Sequence, residues 1–191
     1  MRNANSYWPG CNSGATATQC NGNGNKFIGW DGADSGSSNG TDDNETFRAW
    51  QHLSLSNLIS RTFSGVSLGG TDLATPNDMY FSSTGKGKYF LDSANMMFNR
   101  QKSNYAVLGT SVLGQNIWMP TLTVREASEI DRKIDDGVAS QGKVFGATGL
   151  GTGSDTNCSE IYNSASTGAD YNTANLSNDT KYCVMAFYFD F

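Results

Sequence analysis

The amino-acid sequence predicts an α+β domain: an antiparallel sheet, two main helices and long loops pinned by disulfides. Three observations predict it. Two stretches have helical periodicity and start signals, the chain closes on a strand with two-residue alternation, and no repeating strand–helix–strand order joins them. The 191 residues suit a single domain, 1–191, and suffice to bury a core. With 37% hydrophobic and 12% aromatic residues the chain is globular and not disordered. Only 16% of residues are charged, so uncharged Asn, Ser, Thr and Gly must form much of the surface. A net charge of −5 argues against nucleic acid as a partner, because neutralising phosphates needs surplus Lys and Arg.

Residues 1–41 read as an extended loop region, punctuated by glycines and anchored only by Tyr7, Trp8, Phe27, Ile28 and Trp30. So long a coil inside a domain is normally functional or pinned. Residues 42–63 carry the first helix. Asp42 stands at its N-cap with Glu45 three residues on, a capping-box spacing that satisfies orphan amide donors. Phe47, Trp50, Leu53, Leu55, Leu58 and Ile59 then offer a broad apolar face, each side chain contributing roughly 1.5–3 kcal/mol if fully covered. Residues 88–145 hold strands, expected at 88–91, 105–110, 115–119 and 142–145, and the second helix, 123–136. In that helix Thr123 and Glu126 form a capping box, Ala127, Ile130 and Ile134 fall at helical spacing, and Gly137 closes the C-terminus.

Residues 146–191 form a loop followed by the terminal strand, 183–191. Cys183, Met185, Phe187, Phe189 and Phe191 share one face of it. Left bare, such a face would invite aggregation, so another layer must cover it.

Cys11, Cys20, Cys158 and Cys183 fall into two local pairs whose spacings match no zinc pattern, and the chain has one histidine. The favoured reading is two disulfides, Cys11–Cys20 and Cys158–Cys183, formed in an oxidising compartment and worth roughly 2–4 kcal/mol each. Three pairings of four cysteines remain open to the sequence, and four buried thiols in a reducing compartment is the alternative.

Candidate chemistry is sparse. His52 is the one histidine any Ser-His-Asp or Cys-His system would use, and it sits in the apolar helix, where packing or hydrogen bonding is its expected role. Asp42, Asp43 and Glu45 stand at a helix N-terminus, where negative charge is favoured anyway. Asp131, Asp135 and Asp136 alternate with Arg132 and Lys133, as on a solvated helix face. Asn21, Asn23 and Asn25, with Asp31 and Asp34 beyond, echo the opening of a calcium loop. Lys26 stands where such a loop needs Gly, and no closing Glu follows at the right distance. The Gly-rich run 146–153 lacks the Lys of a phosphate-binding loop. No catalytic residue is assigned, and the chain is not expected to be an enzyme.

Three segments carry a family likeness. They are Arg2-Asn-Ala-Asn-Ser-Tyr-Trp8 with Cys20-Asn-Gly-Asn-Gly-Asn25, then Glu45-Thr-Phe-Arg-Ala-Trp-Gln-His-Leu-Ser-Leu-Ser-Asn-Leu-Ile59, then Leu122-Thr-Val-Arg-Glu-Ala-Ser-Glu-Ile-Asp-Arg-Lys-Ile-Asp-Asp-Gly137 with Gly142-Lys-Val144. Together they resemble the type IV pilin and type II secretion pseudopilin group, particularly its larger prepilin-like members. The resemblance implies the globular head of a structural subunit, displayed on an extracellular pilus or pseudopilus filament and exposed to the periplasm before assembly. Cys158 and Cys183 match the disulfide that bounds the C-terminal region of many such heads.

Members of that group begin with a basic leader and a long apolar spine helix, and neither stands in this sequence. Met1-Arg2 falls about where the spine would hand over to the head. The expectation is therefore a head whose spine helix is truncated or supplied by a second chain. Its partners would be that helix and other pilin-like subunits, with membrane contact only through the helix. Phe47, Trp50, Leu53, Leu58, Met185, Phe187 and Phe189 are the expected core or spine-docking residues. No cofactor is expected beyond calcium, which some pseudopilin heads bind, with Asp31 and Asp34 as the candidate ligands. The alternative is a secreted carbohydrate-binding or adhesin module in which Trp8, Trp30 and Trp118 stack on sugars. A secreted hydrolase using His52 and the acidic clusters stands third.

Overall fold

A computed structural model describes residues 4–8, 20–22, 24–28, 45–65, 80–82, 87–94, 103–110, 119–149, 156–159 and 170–189. Their helices are α1 (Ala4–Tyr7), α2 (Glu45–Leu55) and α3 (Val124–Ile134). Their strands are β1 (Tyr80–Phe81), β2 (Lys88–Ala94), β3 (Ser103–Gly109), β4 (Val144–Thr148) and β5 (Cys183–Phe189). All neighbours in the sheet are antiparallel, in the order β1-β2-β3-β5-β4. The α+β class, the antiparallel sheet and the two main helices are those the sequence predicts. Among the described residues no helix is long and apolar enough to cross a membrane.

Register decides which side chains share a face, because partners across a ladder point the same way. Tyr80 opposes Tyr89, Tyr89 opposes Leu108, and Leu108 opposes Met185. Leu91, Ala106 and Phe187 form the next row on that face, and Asn104 with Phe189 the one after. Both helices lie on this side. The indole of Trp50 in α2 stacks on Tyr80 with ring centroids 5.7 Å apart, and Val124 and Ala127 of α3 pack with Leu108, Val144 and Met185. The opposite face is equally buried along Phe90, Val107, Ala186 and Phe145. On it Tyr188 meets Phe145 edge-on at 4.9 Å and Tyr105 at 5.3 Å. The terminal strand is therefore central and buried on both sides.

Local chemistry sets the helix ends. Thr123 accepts the amide of Glu126 at 3.2 Å, and the Glu126 carboxylate accepts the amide of Thr123 at 3.0 Å. This is the predicted capping box, worth about 1 kcal/mol. Gly137, with φ of +79°, takes the left-handed turn after α3. The first helix is shorter than the sequence suggests. Asn57 is left-handed (φ +58°), its amide bonds back to Ser54, and Leu58 bonds back to Leu53. That paired return is a Schellman closure with Asn in the place glycine usually takes. Leu58 is thereby thrown off the helix and is 72% exposed, so it does not belong to the core. Asp42 and most of the expected strand at 115–119 lie outside the described residues; Met119 alone of that strand is described, bridged to Thr110.

Cys158 and Cys183 are joined by a disulfide, with Cα atoms 5.1 Å apart. Cys20 is buried and carries no free thiol; Cys11 lies outside the described residues. The disulfide ties β5 to Ser159, which bridges Tyr171. The Tyr171 ring in turn lies directly over Gly146 of β4, where an added Cβ would come within 2.4 Å of it. Gly146→Ala should therefore cost about 1–3 kcal/mol as an overpacking change, read as a lower midpoint in denaturant unfolding. An unchanged midpoint would mean that Tyr171 does not sit there.

Candidate functional site

The face that carries both helices is not fully covered. α3 shields the Cys183 and Met185 end, and α2 shields the β1–β2 edge. Between α2 and the sheet lies a cleft of about 660 Å³. Its floor is Leu91, Ala106, Asn104 and Phe189. One wall is α2 and the residue after it, through Glu45, Arg48, Ala49, His52, Leu53 and Ser56. Their spacing of three and four puts them on a single helical face. Thr46, on another face, donates its hydroxyl to the Leu91 carbonyl at 2.6 Å and so fixes the helix against β2.

The other wall is a strap formed by residues 20–22 and 24–28, and three side chains pin its backbone. Asn104 accepts the Ile28 amide at 2.8 Å and donates its own amide to the Lys26 carbonyl at 2.9 Å. Arg48 donates to the Asn21 carbonyl. His52 Nε2 lies 2.8 Å from the Cys20 carbonyl; because that oxygen can only accept, Nε2 must carry the proton. Burial lowers the His52 pKa, and nearby Arg48 adds to the effect. The imidazole is thus a neutral strut. Its remaining contacts are the Cys20 sulfur at 3.8 Å and the stacked ring of Trp8 at 5.2 Å.

The sequence-predicted residues distribute unevenly around the cleft. Leu53, Phe189 and the edge of Trp50 line it. Phe47 is buried in the core and is absent from the lining. Met185 is fully buried beneath α3, and Phe187 is half-buried against Tyr89. Trp8 also lines the cleft, half-buried. Trp30, Trp118, Asp31 and Asp34 lie outside the described residues. Sequence reasoning missed Asn104 and Ala106, whose strand positions on the helix-bearing face were the available signal.

A second polar site lies on α3. Asp131 is fully buried, which overturns its reading as part of a solvated face. It accepts the Tyr171 hydroxyl at 2.9 Å and the Gly137 amide at 3.1 Å. Burial raises its pKa to about 6, with Asp136 and Asp135 pushing the same way against the two hydrogen bonds. Burial and Asp131 also raise the Tyr171 pKa. Asp135 accepts the backbone amides of Lys143 and, at 2.9 Å, Val144, while Asp136 is exposed.

No protein-family model, curated protein or solved structure matches the chain.

Asn104→Ala should release the strap by removing both of its hydrogen bonds, each worth about 1 kcal/mol net. The expected outcome is a clear loss of hydrogen-exchange protection at Ile28, with strand β3 still formed. Unchanged exchange at Ile28 would show that the strap is held by other means.

Proposed function

We propose that this chain is the globular head of a structural subunit in an extracellular type IV pilus-like or type II secretion pseudopilus filament. It acts by assembly and not by catalysis. The observation that carries this reading is the cleft beside α2, whose lining surface is mainly apolar and several of whose polar groups are already committed, the buried Trp50 Nε1–H being an exception. Both ends of the Asn104 amide, the His52 Nε2–H and an Arg48 N–H are spent on the strap, and Glu45 is also engaged. Small-molecule sites of comparable size keep a few convergent polar groups to orient their ligand. Here those groups serve the wall itself, which favours an occupant recognised by shape and apolar contact.

A helix fits that description. One turn with its side chains, about 10–12 Å across and 5.4 Å long, occupies roughly 400–600 Å³, so the cleft takes about one turn of its length. The three segments that resemble the pilin group agree with this, since a spine helix covered by the sheet is what that resemblance implies. Leu53, Ala106 and Phe189 would contact it, and membrane attachment would come only through the spine. Burying a few apolar side chains there would contribute roughly 1.5–3 kcal/mol each.

The test is assembly in cells from full-length subunits. Ala49 is half-buried on the cleft wall, so Ala49→Arg should leave the unfolding midpoint of the head nearly unchanged while abolishing filaments. Ala49→Ser should retain them. Normal filaments from the Arg variant would contradict the proposal.

A further inference from the structure

We infer that the helix seated in the cleft brings one uncharged side-chain oxygen, from Ser, Thr, Asn or Gln, to the indole N–H of Trp50, and that this hydrogen bond selects the partner. The contact rests on the reading of the cleft as a helix seat. Trp50 is 8% exposed, and its Nε1–H has no acceptor in the chain and almost no contact with solvent. A buried indole N–H ordinarily finds a partner, because burial has already cost it the hydrogen bond that water would supply.

The neighbouring rings show from which side a partner comes. Phe63 and Tyr80 lie 5.9 and 5.7 Å from the indole, centroid to centroid, and 6.2 Å from each other. Rings on opposite faces of the indole would stand much farther apart, so both pack on one side of it. Its other side borders the cleft, beside Leu53, Leu91 and Ala106. A small turn of the ring on that open side presents the N–H to an occupant. Glu45 and Arg48 hold the other unpartnered buried atoms of the lining, but both residues are engaged elsewhere. Trp50 has a single side-chain polar group, and nothing in the chain accepts from it.

The chemistry of the incoming group follows. An indole N–H only donates, so that group must accept. The main-chain carbonyls of a helix are spent within the helix, so the acceptor is a side chain. An ion carried among Leu53, Leu91, Ala106 and Phe189 would lose its hydration, while Arg48 is already donating to the strap. An uncharged oxygen meets every condition.

Replacing Trp50 by β-(3-benzothienyl)alanine, which keeps the ring shape and removes the N–H, separates free head from filament. The unfolding midpoint of the head alone should rise, since an unmet donor is gone. Filaments of full-length subunits should instead dissociate more readily, by roughly fivefold per contact, because the occupant's oxygen loses its donor. A merely structural Trp50 would move both stabilities together. In the unsubstituted protein the Trp50 indole proton, assigned through its contacts to Tyr80 and Phe63, should move downfield from free head to filament. An unmoved indole proton, or filaments of unchanged stability with the analogue, would overturn this contact. Where Ala49→Arg still abolishes filaments, the helix seat survives that loss; normal filaments from Ala49→Arg remove the seat and the contact together.

Discussion

The burial of β5 on both faces is the constraint from which the other relations follow. A strand with Met185 and Cys183 on one side and Val184 and Ala186 on the other, all nearly inaccessible, must lie inside a sheet. Its two ladders place β3 and β4 beside it. Cys183 then fixes the segment before it through the bond to Cys158. Because Tyr182 and Cys183 also exchange backbone hydrogen bonds with Leu122, the same strand sets where α3 begins. α3 consequently covers only one end of the sheet. α2, tied to β2 by Thr46, covers an edge, and the uncovered interval beside Phe189 is the cleft.

The cleft and the Asp131 site show two uses of polar groups in a domain with few charges. Beside α2, buried polar side chains satisfy the backbone of a strap that has no regular partner, as buried amides and carbonyls require. What remains facing the cleft is mostly apolar. Beside α3, the polar groups satisfy one another, but at the cost of three carboxyl groups in close array. The first arrangement leaves a mostly apolar wall. The second ties α3 to Tyr171, forty positions away in the sequence.

Features written in neighbouring residues were legible before any coordinates. The Thr123–Glu126 box, the terminal strand and the local Cys158–Cys183 pair each involve chain-near signals, and each stands in the structure, although β5 is buried on both faces and not in alternation. Boundaries set by distant partners were not legible. β2 continues past Leu91 to Ala94 because β3 offers partners as far as Ser103, and β1 is two residues with no period to read. The burial of Asp131 depends on Tyr171, forty positions away, and alternation with Arg132 and Lys133 pointed to solvent instead. The end of α2 was written in the sequence as Asn57, a residue that tolerates the left-handed closure, but the apolar run through Leu58 and Ile59 masked it. The cleft draws its lining from α2, the strap and three strands, so no single stretch announced it.

The proposed occupant of the space between α2 and the sheet is an apolar helix. Solid-state NMR of assembled filaments with labelled heads reads this directly, through contacts of the Leu91, Ala106 and Phe189 side chains. Close contacts from all three to the aliphatic side chains of a helix are expected. Contacts from these residues to water alone, or a spine helix seated against the Phe90–Val107 face instead, would contradict it.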